Sequence, residues 1–172
     1  MVESDTLRAL QAPLKRQYRD DPSSAVVTLH ATGSLGEGIT CSVESGRALA
    51  VAGLHPATGG DGTALCSGDM LLQALVACAG VTLRAVATSM GLPLTDGTVR
   101  AEGDLDFRGT LGVGAQAPVG FRAIRLTFGL ATTASATEVA KLLELTERYC
   151  VVFQTLAGKP ALSVDLVPAA PS

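Results

Sequence analysis

The chain has 172 residues, 13 of them basic and 16 acidic, for a net charge of −3; nearly half of it is apolar, aromatics are 3%, and tryptophan is absent. With no basic cluster to meet phosphates and no aromatic series to stack bases, the composition speaks against a nucleic-acid partner. The length suffices for one core built from Leu, Val and Ala, and a single domain over 1–172 is expected.

The start of the chain, Met1-Val2-Glu3-Ser4-Asp5, is acidic and lacks the basic-then-apolar pattern of a secretory signal, so the cytoplasm is the expected compartment. In a reducing compartment cysteines are free, redox-active or metal-binding rather than bridged. Cys41, Cys66, Cys78 and Cys150 contain no C-x-x-C pair, and His30 and His55 are the only histidines. That spacing argues against a zinc site, and neither metal nor cofactor is expected.

Leu7, Leu10, Leu14 and Tyr18 recur at helical spacing and predict a helical segment within residues 1–22, interrupted at Pro13. Residues 25–31, 39–43 and 47–52 alternate in polarity and predict an antiparallel three-strand meander, with Thr32 to Gly38 as the first loop. Cys41 then faces inward as a small hydrophobe. Gly53 to Ala64 reads as a flexible loop, because its glycines lack the G-K-[ST] ending of a phosphate cradle.

The next stretch, from about Gly68 to Met90, is the most apolar of the chain and predicts a helix roughly 34 Å long. Ser67 suits its N-cap, Asp69 its first turn, and Gly91 its end. Asp69, Gln73, Gly80 and Arg84 fall within about 60° of one another, with Cys78 opposite among Ala74, Leu75, Val81 and Thr82. So apolar a helix is expected to be a buried core element. Asp69, Gln73 and Arg84 interrupt the apolar run a membrane span requires, so no membrane is expected.

Val99 to Phe107 and Phe121 to Leu130 alternate as strands around a glycine-rich excursion. Ser135 and Glu138 form a capping box, followed by a helix with Val139, Leu142, Leu143, Thr146 and Cys150 on one stripe. A last strand is expected over 161–167, and a frayed tail over 168–172. Strands in runs between helices define an α+β fold.

Cys78 and Cys150 both face inward by periodicity. Two readings stand: inert core cysteines, or a pair in which one thiolate attacks a peroxide and the other condenses with the sulfenic acid. The thiolate is the nucleophile and apolar surroundings disfavour it, so a cation or donor must reach the attacking sulfur. Arg47, His55, Arg84 and Arg148 are candidates. Cys66 is an improbable disulfide partner for Cys78, about 18 Å away along a straight helix.

Gly68-Asp69-Met70-Leu71-Leu72-Gln73-Ala74-Leu75-Val76-Ala77-Cys78, followed by Thr82-Leu83-Arg84, resembles the central-helix signature of the osmotically inducible protein C and organic hydroperoxide resistance (OsmC/Ohr) family. Glu147-Arg148-Tyr149-Cys150-Val151 with Thr155-Leu156 resembles that family's second-cysteine motif. Asp69 stands where the family usually carries Glu, and Val151 where it commonly carries Pro.

The resemblance implies an intertwined homodimer with antiparallel sheets around long central helices. It also implies thiol-dependent reduction of organic hydroperoxides, with Cys78 attacking, Cys150 resolving and Asp69 as an orienting carboxylate. Dithiols such as lipoyl groups would supply the electrons. The alternative is a non-catalytic member of the fold that binds a small apolar ligand at the dimer interface.

Overall fold

The computed structural model of the chain describes residues 32–35, 40–45, 48–112 and 115–166, together with Asp5, Ala9, Ala12 and Asp20. Those four single positions are helical. The rest of the expected helix near the start, the expected strand over 25–31, His30, Arg47 and the tail from 167 onward lie outside the described residues.

Three strands, β1 (Thr32–Leu35), β2 (Thr40–Ser45) and β3 (Ala48–Gly53), pair as an antiparallel meander. β1 falls where turn-forming composition predicts a loop. It pairs with β2 from Thr32 opposite Glu44 to Leu35 opposite Cys41, and that ladder outweighs the weak strand preference of Gly and Ser. A two-residue strand, β4 (Leu65–Cys66), joins in parallel beside β3, with Gly53 opposite Cys66.

The loop before β4 holds one 3₁₀ turn, Pro56–Thr58, capped by His55, whose Nδ1 accepts from the Ala57 N–H at 3.0 Å. Then comes α1 (Ser67–Met90), close to the bounds its apolar period predicts. Its N-cap is Cys66 rather than Ser67, because pairing with Gly53 holds the backbone extended through Cys66. The Cys66 thiol makes no capping bond. Gly91 ends the helix at φ 69°, a left-handed conformation that suits glycine, and the Leu92 N–H closes back on the Ala87 carbonyl at 2.9 Å.

α1 buries one stripe, Leu75, Ala79, Leu83 and Ala87, each four residues from the last. Asp69, Gln73 and Arg84 are exposed, as their phase predicts, but so is Val81, at 72%. Burial within one chain is therefore confined to one face. By length and composition α1 does reach what a membrane crossing needs, contrary to the expectation from its three polar residues. Its packing is that of a core helix: the stripe lies against β5 (Leu94–Asp104), which pairs antiparallel with β6 (Ala123–Thr132), and against α3 (Ala136–Tyr149). A four-residue helix, α2 (Phe107–Thr110), lies between the two strands.

The predicted capping box opens α3: the Glu138 N–H donates to Ser135 Oγ at 3.3 Å, and the Ser135 N–H to Glu138 Oε2 at 2.8 Å. A further helix, α4 (Val151–Gly158), follows at once, where the sequence reading assigns none. Of the strand expected over 161–167, the described part, 161–166, is not formed. Residues 159–166 have no regular structure, and Leu162, Val164 and Leu166 are at least 90% exposed. Their alternation suits a strand, but a strand persists only when paired, and no described strand pairs with it.

Candidate active site

The buried stripe of α1 meets two groups of apolar residues. Leu83 and Ala87 pack with Leu94 and Leu142; Leu75 and Ala79 pack with Cys150, which is 1% exposed. Cys78 lies at the border of this second group. It is half-buried and packs against this group, as do Val152 and Phe153 of α4 and the sheet residues Val99 and Ile124. The fold thus brings Cys78 and Cys150 together, both as free thiols.

Cys150 occupies an unusual backbone position. It is at once the C-cap of α3 and the N-cap of α4, extended at φ −73° and ψ 107°. Its N–H donates to the Thr146 carbonyl at 2.9 Å, and its own carbonyl accepts from the Gln154 N–H at 2.9 Å. The sulfur is consequently fixed by two helices and points into the core, where Leu142 and Thr146 continue its stripe.

The two thiols are not equivalent. Partial burial pushes the Cys78 thiol up, but the Val152 N–H, the Cys150 thiol, the Thr82 hydroxyl and the Val151 N–H all favour its thiolate, and together they hold it below the ordinary thiol value. Burial pushes the Cys150 thiol up and the neighbouring Cys78 pushes the same way; the N–H groups of Phe153 and Val152 oppose them but leave the thiol above its ordinary value. A half-open sulfur disposed to ionise therefore abuts a closed one disposed to keep its proton.

Asp69 is not beside them. It is exposed, nine residues from Cys78, or about 13 Å along α1, and half a turn out of phase. Of the expected cations, Arg84 donates from Nη1 to the Leu94 carbonyl at 2.7 Å. Arg148 lies over the Tyr149 ring at 5.4 Å, and His55 stacks on Phe107 with centroids 4.8 Å apart. None of these three touches the thiol pair; Arg47 is outside the described residues.

What the sequence reading misses is the role of Thr82 and of the Val151 and Val152 N–H groups. Thr82 stands at i+4 from Cys78, a signal present in the sequence; the second helix start was not. Cys66 and His55 line a separate cavity of about 400 Å³, with Leu71, Leu105, Phe107 and Phe121. Among the described residues, no group of three His, Cys, Asp or Glu is placed to hold a metal.

A long apolar helix with one face sealed against antiparallel strands, one cysteine in mid-helix and another at a helix junction, defines a class. The family model for OsmC-like protein matches residues 60–165, and the chain belongs to that family. No functionally curated protein matches it by sequence.

Among solved structures it is similar to an OsmC-like protein from Mycoplasma pneumoniae, 18% identical, with a TM-score of 0.66 over 77% of this chain and 89% of that one. An organic hydroperoxide resistance protein OsmC from Legionella pneumophila is 19% identical, with a TM-score of 0.61 over 78% and 92%. An organic hydroperoxide resistance protein from Elizabethkingia anophelis is 18% identical, with a TM-score of 0.62 over 78% and 91%. At these identities the likeness is one of fold.

Proposed function

We propose that the protein is a thiol-dependent reductase of organic hydroperoxides that works as a homodimer. The Cys78 thiolate attacks the distal peroxide oxygen, the O–O bond breaks, and the departing alkoxide takes a proton to leave as an alcohol. Cys78 is then a sulfenic acid. The Cys150 sulfur displaces its hydroxyl, releasing water and forming a Cys78–Cys150 disulfide. A dithiol such as a reduced lipoyl group takes on that disulfide by exchange and returns both thiols. The observation that carries this reading is the contact between an ionisable, half-open Cys78 and a closed Cys150.

Family membership and the likeness to two proteins named for organic hydroperoxide resistance support the substrate class. The open face of α1, with Val81 exposed, and the unpaired apolar alternation at Leu162, Val164 and Leu166 support a second copy. Asp69 can orient a group beside a thiol only across such an interface, since it cannot reach Cys78 of its own chain. Free cysteines fit the cytoplasm.

Titrating free thiols before and after one equivalent of cumene hydroperoxide tests the reading. Loss of two thiols per chain, mapped to Cys78 and Cys150 and reversed by dihydrolipoamide, is expected; retention of both overturns it.

The cavity of about 400 Å³ at the start of α1 favours a second reading, a binder of small apolar molecules. Cys78→Ser separates the two: it abolishes peroxide consumption under the first and leaves ligand binding intact under the second.

A further inference from the structure

The cavity of about 400 Å³ at the start of α1 brings together a thiol and an imidazole that the chemistry at Cys78 leaves unused. Cys66 stands in its wall because β4 ends there, paired with Gly53, and the thiol is not spent on a helix cap. Its neighbours place the sulfur: a Cβ built on Gly68 would lie 3.5 Å from Cys66 Sγ, from Leu105 Cδ1 and from Phe121 Cζ. The space beside the sulfur is thus the space a side chain at position 68 would take. Gly103 lies so close to the Phe121 ring that no side chain fits between them, which seats that ring in the wall.

His55 is held by its own turn. Its Nδ1 accepts from the Ala57 N–H at 3.0 Å, its carbonyl accepts from the Thr58 N–H at 2.8 Å, and its ring stacks on Phe107. With Nδ1 an acceptor, the proton of the neutral ring is on Nε2, the nitrogen left to donate.

None of the described residues lining this cavity is charged. An adjoining hollow of about 350 Å³ shares Cys66 and His55 and adds Asp69 and Asp104, whose charges disfavour an anion. No second cysteine is among the described residues of either space, so a peroxide reacting at Cys66 would leave a sulfenic acid with no resolving thiol beside it. A soft nucleophile and an N–H donor within apolar walls suit an uncharged molecule with a soft electrophilic carbon and an acceptor oxygen. The volume is near the lower end for small-molecule sites, about 300–1,000 Å³, so that molecule is compact.

We propose that this cavity takes compact α,β-unsaturated ketones and aldehydes and that Cys66 captures them covalently. The sulfur bonds to the β-carbon, and the C=C electron pair moves toward the carbonyl to give an enolate. The His55 Nε2–H donates to the enolate oxygen, and a proton returns to the α-carbon. One thiol and one enone give one thioether, with the thiol hydrogen replaced on carbon and no oxidant, reductant or leaving group. The step is independent of Cys78 and Cys150; it rests on the cavity as a seat for small apolar molecules and adds a bond.

The probe is cyclohexenone, added to the reduced full chain, with the adduct on each cysteine peptide followed in time by mass spectrometry. The Cys66 rate is expected to saturate with enone concentration, because binding precedes the bond, and to be suppressed by excess cyclohexanone, which fits and cannot react. A contact at 3.5 Å is an ordinary van der Waals distance, so the backbone at Gly68 accepts a side chain. Gly68→Leu is therefore expected to abolish saturation at Cys66 and to leave the Cys78 rate unchanged. His55→Asn keeps an acceptor for the Ala57 N–H but removes the donor, and is expected to lower the limiting rate at least about tenfold.

A Cys66 rate that rises linearly with enone and ignores cyclohexanone overturns the proposal, as does an unchanged limiting rate in His55→Asn. Cyclohexanone bound by calorimetry with no enone adduct at Cys66 also overturns it, and leaves the cavity as a binding site only. If Gly68→Leu fails to fold, the cyclohexanone competition decides alone. Cys66→Ser is expected to lose the adduct and to consume hydroperoxide as the wild type does, which keeps this proposal and the reductase reading separately testable.

Discussion

Cys78 packs against the buried group that holds Cys150, and the two thiols act on one another in opposite directions. The pairing favours the thiolate at Cys78 and the protonated thiol at Cys150. Under the proposed reading, the half-open Cys78 is the thiol disposed to attack and Cys150 the one that stays protonated until Cys78 has been oxidised. The asymmetry comes from the backbone, because Cys150 sits where α3 ends and α4 begins and is closed by both.

This relationship sets the pH dependence of modification. Since the Cys78 thiol lies below the ordinary thiol value and the Cys150 thiol above it, thiolate grows in first at Cys78 as pH rises. At pH 7, iodoacetamide is expected to label Cys78 at least about tenfold faster than Cys150. Timed mass spectrometry of the two peptides checks this, and equal rates would remove the assignment of roles.

The core beneath the pair is separable from the core farther along α1. Leu75 and Leu142 are both fully buried, but Leu75 packs with Cys150 and Leu142 with Leu83 and Leu94. Either residue changed to Ala is expected to cost about 2–5 kcal/mol in urea unfolding. Leu75→Ala alone should also alter the Cys78 alkylation profile, because only that cavity borders the sulfur. A profile changed equally by Leu142→Ala would mean that the thiols sense global loosening instead.

How far the sequence foretells this arrangement differs by element. α1 is legible because its apolar period is long and Gly91 stops it; which of its faces a single chain covers is not, since apolarity does not name the partner. α3 announces itself through Ser135 and Glu138. α4 has no such announcement: Cys150 is not a capping side chain, and Val151-Val152-Phe153 has the β-branched and aromatic character of a strand. The site inherits the same division. Cys78 and Cys150 can be singled out from periodicity and motif, but the donors that distinguish them belong to a helix start visible only once folded. The opposite error occurs at 161–166, where alternation predicts a strand but no described strand offers it a pairing edge.

Acid stability gives a prediction remote from the thiols. Asp106 accepts from the Arg108 side chain at Nε (2.9 Å) and Nη2 (2.6 Å) and from the Arg108 N–H (3.2 Å). The hydrogen bonds from the Arg108 side chain are the main reason its carboxyl is lowered to about 2. The folded value lies below the ordinary 3.8, so this interaction stabilises the fold fully above that pH and is lost as pH falls toward about 2. In Asp106→Asn, the fall in melting temperature between pH 5 and pH 2 is expected to be shallower than in the wild type. Parallel curves would show that the ion pair contributes nothing to acid unfolding.

The open face of α1 makes the last prediction. Val81 is 72% exposed near the middle of a helix whose opposite stripe is sealed, and Leu71 lies on the same open side. Apolar side chains along one face of a long core helix are what a second subunit would cover, and a charge placed there would have to be buried unpaired. Val81→Arg is therefore expected to leave the far-ultraviolet spectrum unchanged and to halve the mass measured by light scattering. If the reactive site is completed across that interface, by Asp69 or another group of the second copy, the same variant should lose hydroperoxide turnover in proportion to its loss of dimer. Raising its concentration until dimer returns should then restore both together. A wild-type chain that stays monomeric across the whole concentration range would remove the second copy from the mechanism and leave the Cys78–Cys150 contact to act alone.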